Sequence, residues 1–101
     1  MLRVVAVDDE PSALADISRH IREHPNLRLV GVADTATAAR QVIEQYRPDA
    51  LFLDVEIPGG TTFSVIETLD VAPKIVFVTA HSKHATQAFD VEAVDFLLKP
   101  I

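Results

Sequence analysis

The chain predicts an α/β domain built on a doubly wound parallel sheet, and three observations predict it. Ala50-Leu51-Phe52-Leu53 runs without a polar break into Asp54 and is closed by Pro58-Gly59-Gly60, the pattern of a strand buried on both faces. Strand-like runs alternate with segments of helical period along the whole chain. Polar residues, Asp8-Asp9, Asp54, Thr79 and Lys99, stand where successive apolar runs end. In open parallel sheets that carboxyl edge is where ligands bind.

Each element has a local reason. Leu2-Arg3-Val4-Val5-Ala6-Val7 is a first strand rich in β-branched residues, and it ends in Asp8-Asp9-Glu10. Pro11 suits a first helical turn, and acidic residues just before it suit the positive end of the helix dipole. Leu14, Ile17 and Ile21 share one helical face until Pro25 stops the helix. Leu27 to Val32 alternates as a second strand with one polar contact, expected at the sheet edge. Asp34 or Thr35 caps a second helix with Ala39, Val42, Ile43 and Tyr46 on one face. The third strand is the run into Asp54.

Thr61 or Thr62 can cap a short third helix carrying Phe63, Ile66 and Leu69. Pro73 precedes a fourth strand, Lys74 to Val78, which ends at Thr79-Ala80-His81. A fourth helix over about Lys83 to Phe89 offers only Ala85, Ala88 and Phe89 as an apolar face. Burial that thin predicts one of the less stable elements. Val94 to Leu98 is a fifth strand, followed by Lys99-Pro100-Ile101. The expected sheet order is 2-1-3-4-5, one of the common doubly wound arrangements.

Length and composition set bounds. At 101 residues, 49% hydrophobic and 24% charged, residues 1–101 form one folded domain with a single core. With no cysteine there is neither a disulfide framework nor a thiolate metal site. Apolar runs of four or five residues are too short to span a bilayer, and no secretory pattern follows Met1, so a cytoplasmic protein without membrane contact is expected. The net charge of −6 argues against this segment gripping a nucleic-acid backbone.

Adjacent strands lie about 4.8 Å apart, so the predicted order makes Asp9 and Asp54 converge. Three ionised carboxylates, Asp8, Asp9 and Asp54, repel one another there, and Lys99 offsets only part of their charge. A hard divalent cation with oxygen ligands resolves the conflict, and Mg²⁺ held by carboxylates, waters and a phosphate fits best. The constellation predicts phosphoryl transfer. Asp54 is the nucleophile, and Lys99 with the Thr79 hydroxyl holds the phosphoryl oxygens.

The set Asp8-Asp9, Asp54, Thr79-Ala80 and Lys99-Pro100 resembles the receiver domain of two-component response regulators, in order and interval, over the whole chain. The resemblance implies a flavodoxin-like fold in which Asp54 accepts phosphate from the phosphohistidine of a sensor histidine kinase. It implies Mg²⁺ held by Asp9, Asp54 and the Glu56 backbone carbonyl, with Asp8 acting mostly through water. Phe96 matches the aromatic whose rotamer follows Thr79, so phosphorylation would draw Thr79 toward a phosphoryl oxygen, let Phe96 fill the vacated space, and shift the fourth helix. The positions of Glu56 and His81 tune dephosphorylation in the family, and a cis Lys99-Pro100 peptide is expected by the same resemblance. The domain would catalyse only its own phosphotransfer and slow dephosphorylation. The ending Ala93 to Ile101 is similar to receivers that precede a LytTR-type DNA-binding domain, which would make the full-length protein a transcription regulator.

Two features depart from the family pattern. Thr62 stands where a Gly usually follows the phosphoacceptor by eight residues, which predicts a locally altered loop around Gly59-Gly60 and an intact site. The chain stops at Ile101, where receivers continue into a fifth helix. With that helix absent, one sheet face is expected to rest on the first helix alone, and such exposed apolar surface favours a homodimer or other oligomer.

Bland readings compete at several positions. His20-Ile21-Arg22-Glu23-His24 spells H-x-x-E-H, but Pro25 ends that helix at once and no third ligand is evident. His81 and His84 are read as solvent-facing. Asp16, Asp34, Asp49, Asp70, Asp90 and Asp95 are read as solvated faces. A flavin site would need a Ser/Thr/Gly-rich loop after the first strand, where Asp8-Asp9-Glu10 stands instead. A Mg²⁺-dependent phosphatase usually carries its aspartyl nucleophile after the first strand, with a second Asp two residues on. An unphosphorylated pseudo-receiver acting as an interaction module is the remaining alternative, and the full acidic set weighs against it.

Overall fold

In the computed structural model, strand β1 (Leu2–Val7) lies between β2 (Leu27–Ala33) and β3 (Ala50–Leu53), and the sheet continues through β6 (Lys74–Thr79) to β7 (Asp95–Leu98). All four pairings are parallel, in the order β2-β1-β3-β6-β7. These are the five strands predicted from the sequence, in the predicted order. A small antiparallel pair, β4 (Glu56–Ile57) and β5 (Gly60–Thr61), interrupts the run after β3. The structure describes residues 1–54, 56–57, 60–69, 73–79 and 95–98. The expected fourth helix, Lys99 and the Lys99-Pro100 peptide lie outside the described residues.

Helices cover both faces of the sheet. Helix α1 (Pro11–Glu23) packs Ile17 and Ile21 against Val4, Ala6, Ala50 and Val78. Helices α2 (Ala36–Tyr46) and α3 (Thr62–Glu67) cover the opposite face, where Ala39, Ile43 and Val65 meet Val5, Val7, Leu51, Leu53, Ile75 and Phe77. The period of two along each strand is what divides these sets. The two sides differ in completeness: Leu51, Leu53, Ile75 and Phe77 are buried, whereas Phe52 and Val76 on the α1 side are half-buried. Val65, which the sequence reading left out of the third helix's apolar set, is buried to 1%.

The caps follow the chemistry of their residues. Pro11 opens α1, and Glu10 holds the cap position without a side-chain cap bond. Thr35, not Asp34, caps α2, its hydroxyl accepting the Ala38 N–H at 3.1 Å. At the other end of α2, Arg47 takes a left-handed conformation at φ 45, a place where glycine is the usual residue. Its N–H donates to the Ile43 carbonyl at 2.8 Å, and Arg3 Nη1 donates to its carbonyl at 3.2 Å. A cation at a helix carboxyl end complements the dipole.

Asp49 corrects an expectation. The side chain is exposed, but it is more than a solvated face, because its Oδ2 accepts the Arg3 N–H at 2.9 Å. Its own N–H donates to Arg3 and its carbonyl accepts from Lys74, so one residue laces β1, β3 and β6 at the amino edge. The second strand also runs one residue further than predicted and carries a register shift, with Val4 opposite Leu29 and Val5 opposite Gly31. Gly31 lies beneath α2, and a Cβ there would come within 2.7 Å of Val42 Cγ1 and 3.3 Å of Tyr46.

Candidate metal and phosphoacceptor site

The acidic pocket is assembled by continuing the sheet ladder one residue past its strands. Beyond β1, the Asp8 N–H donates to the Ala33 carbonyl of β2 at 3.1 Å. Beyond β3, the Asp54 N–H donates to the Val7 carbonyl of β1 at 2.8 Å. Both carboxylates are therefore anchored by backbone at the same edge of the central strands. Asp8 Oδ1 also accepts the Glu10 N–H at 2.9 Å, a local turn that aims the chain into α1. Asp9 lies between these two residues and is exposed.

Asp8, Asp9 and Asp54 each offer a carboxylate oxygen, and those oxygens lie within 4.8 Å of one another. Asp8 is fully buried and Asp54 is 7% exposed. Among the described residues this is the one group of three with metal-ligand potential. At such a separation the buried pair Asp8 and Asp54, both ionised, repels by about 3 kcal/mol at an effective dielectric near 20, and the exposed Asp9 adds less because water screens it. Mg²⁺ takes oxygen ligands at about 2.0–2.1 Å and keeps several waters. Oxygens of one octahedral ion are then at most about 4.2 Å apart, which small side-chain rotations or one bridging water achieve here. The donor set fits a hard dication. It does not fit zinc, which favours nitrogen and sulfur.

The remaining sequence-predicted residues divide into those the structure places and those it does not describe. Thr79 is the last residue of β6, and β3 pairs with β6 through Leu53 and Phe77, so Thr79 falls two positions past that pair at the carboxyl edge. Phe96 lies in β7 opposite Phe77, and Leu98 lies opposite Thr79. Glu56 opens the β4–β5 pair that follows Asp54. Lys99, His81 and His84 lie outside the described residues. His20 and His24 sit at the exposed carboxyl end of α1, where His24 Nδ1 accepts the Asn26 N–H at 3.1 Å. That nitrogen is engaged as an acceptor, which argues further against metal binding by the H-x-x-E-H stretch.

The β4–β5 pair is what the sequence reading missed. Pro58-Gly59 between two short segments is a hairpin signal, and Ile57 is the apolar residue that gives one segment a buried side. Ile57 is 5% exposed and belongs to the core on the α2 side.

A five-stranded parallel sheet of this order, with buried carboxylates gathered where its central strands end, defines a doubly wound domain of the flavodoxin-like class carrying a cation-competent acidic pocket. The chain belongs to the response regulator receiver domain family, whose model matches residues 4–101. It is 37% identical over 103 aligned residues to the transcriptional regulatory protein BtsR of Escherichia coli K12, covering 100% of this chain and 43% of BtsR. It is likewise 37% identical to the sensory transduction protein LytT of Enterococcus faecalis, covering 98% of this chain and 42% of that protein. The chain thus spans less than half the length of these curated relatives. Among solved structures, the response regulatory domain of mrkE from Klebsiella pneumoniae superposes with a TM-score of 0.87 at 33% identity, covering 98% of this chain and 84% of that one. The receiver domain of the response regulator NarL from Mycobacterium tuberculosis gives 0.87 at 30% identity, covering 99% and 85%. Among the described residues no helix is long and apolar enough to cross a membrane.

Proposed function

We propose that this receiver domain is a phosphoacceptor, in which Asp54 takes a phosphoryl group from a phosphohistidine of a sensor histidine kinase. The observation that carries the reading is the convergence of Asp8, Asp9 and Asp54 within 4.8 Å at the carboxyl edge, two of them buried. Asp9, Asp54 and the Glu56 carbonyl would hold Mg²⁺, with Asp8 acting through water. When bound, the ion supplies charge neutralisation for the carboxylates and the incoming phosphoryl oxygens. A carboxylate oxygen of Asp54 attacks phosphorus, the O–P bond forms as the P–N bond breaks, and the imidazole leaves with the bonding pair and takes a proton from solvent. The Val7 ladder bond behind Asp54 fixes its backbone, which supports this role.

In this reading Lys99 and the Thr79 hydroxyl take phosphoryl oxygens. Movement of Thr79 is coupled to Phe96 and to the fourth-helix face, since the added group brings about −1.5 to −2 charges and three acceptor oxygens. Their strands are already adjacent, with Thr79 and Phe96 on paired β6 and β7. The domain turns over only its own phosphoryl group, in the cytoplasm. By analogy with BtsR, named as a transcriptional regulatory protein, the switch acts on an output segment that contacts DNA, while this acidic segment does not. The test is labelling with acetyl phosphate and Mg²⁺: the wild-type chain gains one phosphoryl group, and Asp54→Asn gains none. A mutant that labels as the wild type does excludes Asp54 as the acceptor.

A further inference from the structure

We infer that Ile57 is a positioning residue for the cation site: by anchoring the β4–β5 pair in the core, it fixes the backbone of Glu56 and thereby sets affinity for Mg²⁺. The inference rests on the phosphoacceptor reading and deepens it.

Asp54 and Ile57 are each anchored. The Asp54 N–H is bonded to the Val7 carbonyl at 2.8 Å, and the residue is 7% exposed. Ile57 is 5% exposed and packs in the same core cluster as Val7, Leu53, Val65 and Phe77. Glu56 pairs with Thr61 and Ile57 with Gly60. Two paired positions do not make a hairpin that is stable in water on its own, so burial of Ile57 must hold this one shut. Thr62, in place of the glycine that receivers usually carry, begins α3 directly after the pair. Glu56 is therefore held between its strand partner Thr61 and the buried Ile57, which sets its carbonyl in place before any ion arrives. Preorganised backbone ligands bind more tightly because no ordering cost remains at binding, and residues supporting metal ligands typically change affinity 10–100-fold when lost.

The experiment compares Ile57→Ala with Ile43→Ala, a buried isoleucine of the same cluster on α2, at a temperature where each is folded. Mg²⁺ affinity of the unphosphorylated chain is read by calorimetry, and acetyl phosphate labelling is read at saturating Mg²⁺. Ile57→Ala is expected to bind Mg²⁺ about tenfold more weakly yet to label near the wild-type rate once saturated. Ile43→Ala should lose comparable stability with Mg²⁺ affinity unchanged, and Ile57→Val should restore most of the affinity. Equal affinities in Ile57→Ala and wild type, or an equal loss in Ile43→Ala, overturn the inference. If Ile57→Ala does not fold, Ile57→Val against Ile43→Val makes the same comparison, with a weakening of up to about fourfold, the worth of one buried methylene, expected only at position 57. A wild-type chain that neither binds Mg²⁺ nor labels overturns the phosphoacceptor reading itself, whereas a wild type that does both beside an indifferent Ile57→Ala overturns only the positioning role.

Discussion

Asp54→Asn should make the metal-free domain more stable, and the structure sets the size of the effect. Asp54 and Asp8 are both buried, and their nearest oxygens are within 4.8 Å. Two unit charges at that distance repel by about 3 kcal/mol at an effective dielectric near 20. Asp9 adds less, because it is exposed and water screens it. Asparagine preserves the shape of the side chain, removes the charge, and offers an N–H₂ to the neighbouring carboxylates. Side-chain rotation and the other interactions of Asp8 and Asp54 relieve part of the repulsion in the wild type, so the net gain is at most about 2 kcal/mol. For a domain of this length that corresponds to a rise in Tm of roughly 10 °C. Thermal unfolding followed by circular dichroism in EDTA measures it. Mg²⁺ should then narrow the gap, since a ligand at ten times its Kd stabilises the wild type by about 1.4 kcal/mol and the mutant by much less. An Asp54→Asn protein that melts at or below the wild-type temperature in EDTA would refute the view that these carboxylates are held in mutual repulsion.

Two further predictions concern the scaffold around the site. Gly31→Ala should cost about 1–3 kcal/mol by overpacking, because its Cβ would meet Val42 Cγ1 at 2.7 Å. Urea denaturation should show most of that loss recovered in Gly31→Ala/Val42→Ala, and failure of the second change to compensate would place the clash with the Tyr46 ring, 3.3 Å from the added Cβ. Arg47→Gly should stabilise the domain by about 0.5–1 kcal/mol by relieving the left-handed backbone at φ 45, measured by the same denaturation. A loss of stability there would show that the arginine side chain contributes more than its backbone strain costs.

The parts of the fold legible in the sequence were those where one signal ruled. Val4 to Val7 and Leu51 to Leu53 are uninterrupted apolar runs, and they are the two strands that carry the acidic residues at their ends. Once strand order was assigned, the meeting of Asp9 with Asp54 followed from strand spacing alone. What was not legible depended on tertiary contact. Gly31 inside a strand is compatible with a bulge, a kink or plain tolerance, and only the passage of α2 overhead decides among them. Arg47 has no intrinsic preference for a left-handed turn, so its conformation is imposed by the end of α2 and the Asp49 ties that follow. The β4–β5 pair escaped because two-residue strands have no period to read. Ile57 stood unassigned just before the Pro58-Gly59-Gly60 turn, and only its burial shows that it belongs to the core.

The most direct test of the acidic pocket is a titration of the isotopically labelled chain with Mn²⁺, which replaces Mg²⁺ at oxygen sites and broadens nearby NMR signals. Broadening at substoichiometric Mn²⁺ should centre on residues 8, 9 and 54 and fade along β1 and β3, and excess Mg²⁺ should reverse it. Broadening centred instead on His20 and His24 at the far end of α1, or spread evenly over the surface acids, would contradict the account.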